Sequence, residues 1–248
     1  MTHFEIHEPK TVIGPLLVHI PHSATAVPAR WRSQIVLDDA ALARELLAMT
    51  DHYTDELFAP HAVAQGGVAF VNGLSRLVFD PERFEDDSVE VMSKKGMGAV
   101  YTRTSDLRPL RRSDFSKVER EAVLCELFRP YAAALEQQVS AHLEHFGRCL
   151  ILDGHSFPSR ALPYEDGTRF RPDLCLGYDN YHADERIITA LERVADQAGW
   201  SVGRNAPFEG SYVPVAHYRT NPQVVSVMIE MNRSRYMDEA TGHRDLTP

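Results

Sequence analysis

Three short apolar runs end abruptly in polar residues, and this feature constrains the fold more than any other. Residues 12–20 finish with Pro15-Leu16-Leu17-Val18-His19-Ile20 and stop at Pro21-His22-Ser23. Cys149-Leu150-Ile151-Leu152-Asp153 stops at Gly154-His155-Ser156. Residues 224–231 read Val-Val-Ser-Val-Met-Ile-Glu-Met and lead into Asn232 and Arg233. Short apolar runs bounded by turn signals read as buried strands. Helix-period segments separate them. Asp38-Asp39 caps a helix whose apolar positions Leu42, Leu46, Leu47, Met49 and Leu57 carry it to about residue 58, with Pro60 as its stop. Residues 116–145 form a long helix that Pro130 can kink, and residues 183–199 form another, closed by Gly199. Residues 172–176 read as a further strand. Residues 68–71 and 74–79 read as two strands around the turn signal Asn72-Gly73. Strands alternating with helices predict an α/β sandwich on a largely parallel sheet.

The whole chain, 1–248, suits one domain. Its polar stretch at 84–114, with Gly96 and Gly98 inside a charged segment, is expected to be a flexible loop or lid. The net charge of −9 argues against a nucleic-acid or anionic-membrane partner, because the field has the wrong sign. No apolar run approaches a membrane span. Cys125, Cys149 and Cys175 form no C-x-x-C pair and are expected as reduced thiols in or near the core. With no signal segment at the N-terminus, the expected compartment is the cytoplasm.

In an open α/β sheet, ligands bind beyond the carboxyl ends of the strands. Two of the three run ends carry His22 and His155, and the third carries Glu230. Imidazole and carboxylate are the ligands of catalytic zinc, which uses about three protein donors and keeps a position for water. The helix after the first run offers a third donor in Asp51 or Asp55, one turn apart on one face. Manganese, iron or cobalt takes the same donors. Each residue also has a plain structural reading: a bonded core histidine, a solvated helix face. Glu230 stands apart, because a carboxylate inside so apolar a run is costly to bury unless paired or metal-bound. Arg76, Arg83, Arg103 and Arg233, with Asn232 beside the last, are candidates to bind an acidic substrate, since guanidinium grips carboxylate in bidentate fashion. No Walker loop, dinucleotide fingerprint or G-x-S-x-G elbow is present.

At these residues the chain resembles the N-formylglutamate amidohydrolase family. The matching blocks are Val18-His19-Ile20-Pro21-His22-Ser23, Asp51-His52-Tyr53-Thr54-Asp55-Glu56-Leu57-Phe58, and Ser75-Arg76-Leu77-Val78-Phe79-Asp80-Pro81-Glu82-Arg83-Phe84. They continue with Val100-Tyr101-Thr102-Arg103, Asp153-Gly154-His155-Ser156-Phe157-Pro158, Pro172-Asp173-Leu174-Cys175-Leu176-Gly177, Pro207-Phe208-Glu209-Gly210-Ser211-Tyr212-Val213-Pro214 and Val227-Met228-Ile229-Glu230-Met231-Asn232-Arg233. The resemblance implies a three-layer sandwich with a mixed sheet, similar to zinc exopeptidases. It also implies zinc-dependent hydrolysis of N-formyl-L-glutamate, closing a histidine-degradation route. By it, His22 and His155 match metal-binding histidines and Glu230 the catalytic carboxylate. The wider group places an acidic ligand just behind the first histidine, whereas Ala24, Thr25 and Ala26 follow Ser23 here. Both Asp51 and Asp55 therefore stay open. Related enzymes act on other N-acyl amino acids or on peptidoglycan amides, and a non-catalytic binding protein on the same fold is the alternative of another class.

Overall fold

The computed structural model describes residues 3–165 and 170–244. Within these residues seven strands form one sheet: β1 (Phe4–His7), β2 (Leu16–Ile20), β3 (Val68–Asn72), β4 (Cys149–Phe157), β5 (Leu174–Gly177), β6 (Val202–Arg204) and β7 (Val224–Asn232). Their order is β1-β3-β2-β4-β7-β5-β6. The centre, β3-β2-β4-β7, is parallel; β1 joins β3 and β5 joins β7 antiparallel. The sheet is thus mixed with a parallel heart.

Among the described residues six α-helices accompany it: α1 (Ala29–Arg32), α2 (Asp39–Met49), α3 (Thr54–Ala64), α4 (Lys117–Val123), α5 (Arg129–Phe146) and α6 (Glu185–Gln197). Strand side chains alternate between the two faces of a sheet. Val18 and Ile20 of β2 pack with Ala59 and Ala62 of α3, while Leu174 and Val227 pack with Ile188 and Ala195 of α6. Leu17 and Ile151 point the other way, onto Tyr131, Leu135 and Val139 of α5. Gly154 lies mid-strand because Phe58 of α3 presses on β4; a Cβ there would stand 2.8 Å from its ring. No helix among the described residues is long and apolar enough to cross a membrane.

Several sequence expectations need correction. The helix begun at Asp38 stops at Met49, and α3 starts anew at Thr54. Thr50 is extended and Tyr53 is left-handed, with φ 66°. Pro60 does not end α3; it lies exposed within the helix, which runs on to Ala64. The long helix is α4 and α5 joined by a π turn, Leu124–Phe128, just ahead of Pro130. Residues 74–79 are no strand. The Asn72 side chain donates to Pro21 O and accepts from Leu74 N, which turns the chain away from the sheet. Strand β4 continues through His155 to Phe157.

Most of the expected lid is packed structure. Met97, Ala99, Tyr101 and Leu110 are buried, and Met97, Tyr101 and Leu110 share a core with Ile35, Leu42 and Leu77. Arg111, polar in the sequence, is buried with its guanidinium donating to Leu77 O, Val78 O, Tyr101 O and Gln34 Oε1. Only the part around the 3-10 turn Val91–Lys95 reaches the rim of the main cleft. The three cysteines are free, but Cys125 is exposed rather than buried.

Candidate active site

The parallel centre of the sheet sets the site. Strands β4 and β7 run side by side with His155 opposite Glu230, so both side chains leave one face at neighbouring positions. Asp153, two residues earlier on β4, shares that face. His22 follows the end of β2, which pairs with β4 on its other edge. The turn at 50–53 then brings in Asp51, whose N–H donates to His22 O at 3.0 Å. These residues converge, save Asp153, on a cleft of about 540 Å³ that Arg76, Glu82, Arg83 and Arg233 also line.

The two histidines are tightly oriented. His22 Nε2 is 2.9 Å from Asp80 Oδ1, which leaves its Nδ1 facing inward, 3.3 Å from His155 Nδ1 and 3.6 Å from Glu82 Oε2. His155 Nδ1 is 3.0 Å from Asp51 Oδ2, and its Nε2 is 3.0 Å from Glu82 Oε1. Burial alone would lower the His155 pKa, yet the charges of Glu82 and Asp153 hold it well above the usual value. Asp51 is pulled the other way. Burial would raise its pKa, but His155 and His22 keep it well below the carboxylate range.

Ligand atoms of His22, Glu82 and His155 all lie within 4.8 Å of one another. Two imidazoles and a carboxylate are a donor set for a divalent transition metal. Asp80, hydrogen-bonded behind His22, is the outer carboxylate that such histidine ligands characteristically have. Asp80 is itself gripped by Arg76 Nη2 at 2.8 Å and the Tyr101 hydroxyl at 2.6 Å. Glu230 supplies an independent sign. It is 8% exposed, and among the described residues its Oε2 has no hydrogen-bond partner. Burial pushes its pKa up to about 7, partly offset by His155. A buried carboxylate oxygen aimed at nothing is expensive, and it is tolerated where a catalytic group must stay free. The residues present therefore fit a bound cation with an adjacent base.

The structure brings some of the sequence-predicted residues into the cleft and leaves others outside it. Asp55 does not join the histidines. The chain turns between Asp51 and Asp55, so they share no helix face; Asp55 lines a separate depression with Glu5, His7 and Ser23. Asp51 reaches the cluster, but it bridges His155 and Arg233 and stands outside the three-donor group. Arg103 is exposed, bonded to Leu107 O, and does not line the cleft. Asn232 is buried and structural: it donates to Pro172 O and accepts from Ser234. Arg233 does line the cleft, yet its donors are taken by Asp51, Ala48 O and Ser156. Arg76 and Arg83 stand in the cleft as expected, and Lys95 joins them.

Glu82 and Asp80 are the residues that sequence reasoning missed. Both lie inside the block that carries the resemblance, between Arg76 and Arg83. Two acids flanking Pro81, directly after the buried run Leu77-Val78-Phe79, were the available signal.

A second histidine–carboxylate group lies beside the first: His19, Glu82 and Asp153. Here the histidine is fully used. His19 Nδ1 is 2.8 Å from Asp153 Oδ1 and its Nε2 is 2.8 Å from the Tyr131 hydroxyl, while Asp153 Oδ2 accepts from Tyr212 N.

Known proteins resemble this chain along most of its length. The family model for N-formylglutamate amidohydrolase matches residues 14–237. N-formylglutamate deformylase of Pseudomonas aeruginosa is 30% identical over 231 residues, covering 91% of this chain and 83% of that protein. That of Pseudomonas putida is 27% identical over 229 residues, covering 91% and 82%. Among solved structures, the N-formylglutamate amidohydrolase from Ralstonia eutropha superposes with a TM-score of 0.86 at 24% identity, over 99% of this chain and 91% of that one.

Proposed function

The chain belongs to the N-formylglutamate amidohydrolase family, and from that premise we propose that it hydrolyses N-formyl-L-glutamate to formate and L-glutamate, closing a histidine-degradation route. The carrying observation is the free, buried carboxylate oxygen of Glu230 beside the His22–Glu82–His155 group. In this reading those three residues hold a divalent cation, zinc being the first choice, and Glu82 takes the place that Asp51 or Asp55 was expected to fill. A cation held there supplies a Lewis acid for the amide carbonyl and lowers the pKa of the attacking water.

The protein's own groups do the rest. Glu230 accepts a proton from water as its oxygen attacks the formyl carbon. The carbon–nitrogen bond then breaks, and Glu230 returns the proton to the leaving amine. Arg76 and Arg83 meet the substrate's carboxylates in an otherwise acidic protein. Arg76 has a second duty, since its bond to Asp80 keeps His22 oriented. Arg233 is a positioning residue that fixes Asp51 and, through it, the His155 ring.

The test measures metal content and formate release together, before and after chelation. Near-stoichiometric metal, with activity lost on chelation and regained on zinc addition, is the expected result. Activity that survives complete metal removal overturns the cation's role. Bound metal with no release of formate from N-formylglutamate overturns the substrate.

A further inference from the structure

The cleft does not end at the His22–Glu82–His155 group. Beyond Glu82 a second cavity of about 730 Å³ opens on the side of α5. The two cavities share Glu82, Arg83, Glu209 and Met228 as walls, so they lie side by side next to the His22–Glu82–His155 group. Their chemistry differs. The first carries the basic groups Arg76, Arg83 and Lys95. The second has apolar walls, among them Phe84, Phe128, Ala132, Tyr212, Val213 and Val215.

N-formylglutamate leaves this second space without a use. A cavity of about 540 Å³ already holds a small dicarboxylate. A formyl group adds one carbon to the amide nitrogen and nothing that needs an apolar wall. Phe128 and Val213 are buried and form the floor, while the exposed Phe84, packed edge-on against Tyr218, and the exposed Val215 form the rim.

We propose that the second cavity is an acyl subsite, and that the enzyme also hydrolyses N-acyl-L-glutamates with uncharged aliphatic acyl chains of several carbons. The inference rests on the reading of the first cavity as the glutamate site. The amino acid lies among Arg76, Arg83 and Lys95, the scissile amide sits at Glu82, and the acyl chain extends past Glu82 toward Tyr212 and α5. Water adds to the acyl carbon, the acyl–nitrogen bond breaks, and the products are a carboxylate and glutamate. Carboxylated chains are disfavoured, because Glu136 and Glu209 line the subsite, its Arg129 is engaged by Glu85 and Glu121, and the shared Arg83 lies beside Asp80 and serves the glutamate in the first cavity. Each methylene that leaves water for an apolar wall tightens binding about fourfold.

The experiment compares kcat/KM of the metal-loaded enzyme for N-formyl-, N-butanoyl-, N-hexanoyl- and N-succinyl-L-glutamate, in the native chain and in Ala133→Phe. Ala133 is an exposed position on α5 that also borders the subsite, so the larger ring narrows it with little demand on the core. The expected result is hexanoyl turnover within about tenfold of formyl, butanoyl ahead of its carboxylated analogue succinyl, and a loss in A133F at least tenfold larger for hexanoyl than for formyl. Formyl turnover with no hexanoyl turnover overturns the subsite and leaves the deformylase reading standing. Succinyl ahead of butanoyl, or hexanoyl turnover that A133F does not reduce selectively, also overturns the subsite. No turnover of any of the four overturns both readings.

Discussion

Two buried histidine–carboxylate groups lie side by side in this protein, and they differ in one respect. Around His19, every polar atom named has a partner: Asp153 on one ring nitrogen, Tyr131 on the other, Tyr212 N on the second oxygen of Asp153. Around His22 and His155, four carboxylates crowd two rings, and Glu230 keeps an oxygen with no hydrogen bond. The residue types are the same. What separates a structural network from a reactive one is whether the hydrogen-bonding capacity is spent.

The sharpest way to break that contrast is Glu230→Gln. It should lower kcat by about 10²–10⁴, while urea denaturation shows unchanged or greater stability, since a poorly solvated carboxylate is removed. Full activity in E230Q would place the base elsewhere. The pH profile sharpens the same point. A carboxyl raised to about 7 is protonated below that value, so kcat/KM rises with pH through it. A bound cation favours the carboxylate form, which sets the acidic limb at or below about 7; a limb that persists in E230Q would belong to another group.

Asp80→Asn probes the support behind His22. Metal affinity, measured by chelator competition, is expected to fall about 10–100-fold. An unchanged affinity would mean that Asp80 orients Arg76 and Tyr101 alone. Tyr131→Phe tests the satisfied group. It leaves His19 Nε2 buried without a partner and should cost about 1–3 kcal/mol of stability, with kcat/KM changed far less than in E230Q. A collapse of activity without loss of stability would merge the two groups into one functional unit. Arg103→Ala carries the smallest expectation: kcat/KM within about twofold of the native value, because the residue is exposed and outside the cleft. A large rise in KM would return Arg103 to the substrate.

Much of the site was legible because strand ends are legible. The runs ending at His22, at Asp153-Gly154-His155 and at Glu230 identify themselves by apolar composition, and parallel pairing brings such ends together. Glu230 also carries its own warning, a charge in a run that otherwise excludes charge. The carboxylate that lies closest to both histidines was not legible. Glu82 sits in an irregular segment with no period, so nothing local says where its carboxylate points. Asp51 and Asp55 looked equivalent on a continuous helix, and the left-handed Tyr53 that separates them leaves no trace in hydrophobic spacing. The same limit explains the packed part of 84–114. Arg111 looks like surface until its guanidinium is seen to make four hydrogen bonds, three to backbone carbonyls and one to a glutamine.

By itself the sequence determined the α/β class, the parallel core strands and the family, and it singled out His22, His155 and the buried Glu230. Each depends on local composition or on ordered blocks along the chain. The tertiary structure alone decided that Glu82 approaches the histidine pair, that Asp55, Arg103 and Asn232 lie outside the cleft, and that a second cavity adjoins it. Those outcomes depend on where irregular segments are held by long-range contacts, such as Asn72 to Pro21 and Asp80 to His22. Hydrogen bonds between residues distant in the chain have no period to read, and only the folded molecule brings their partners together.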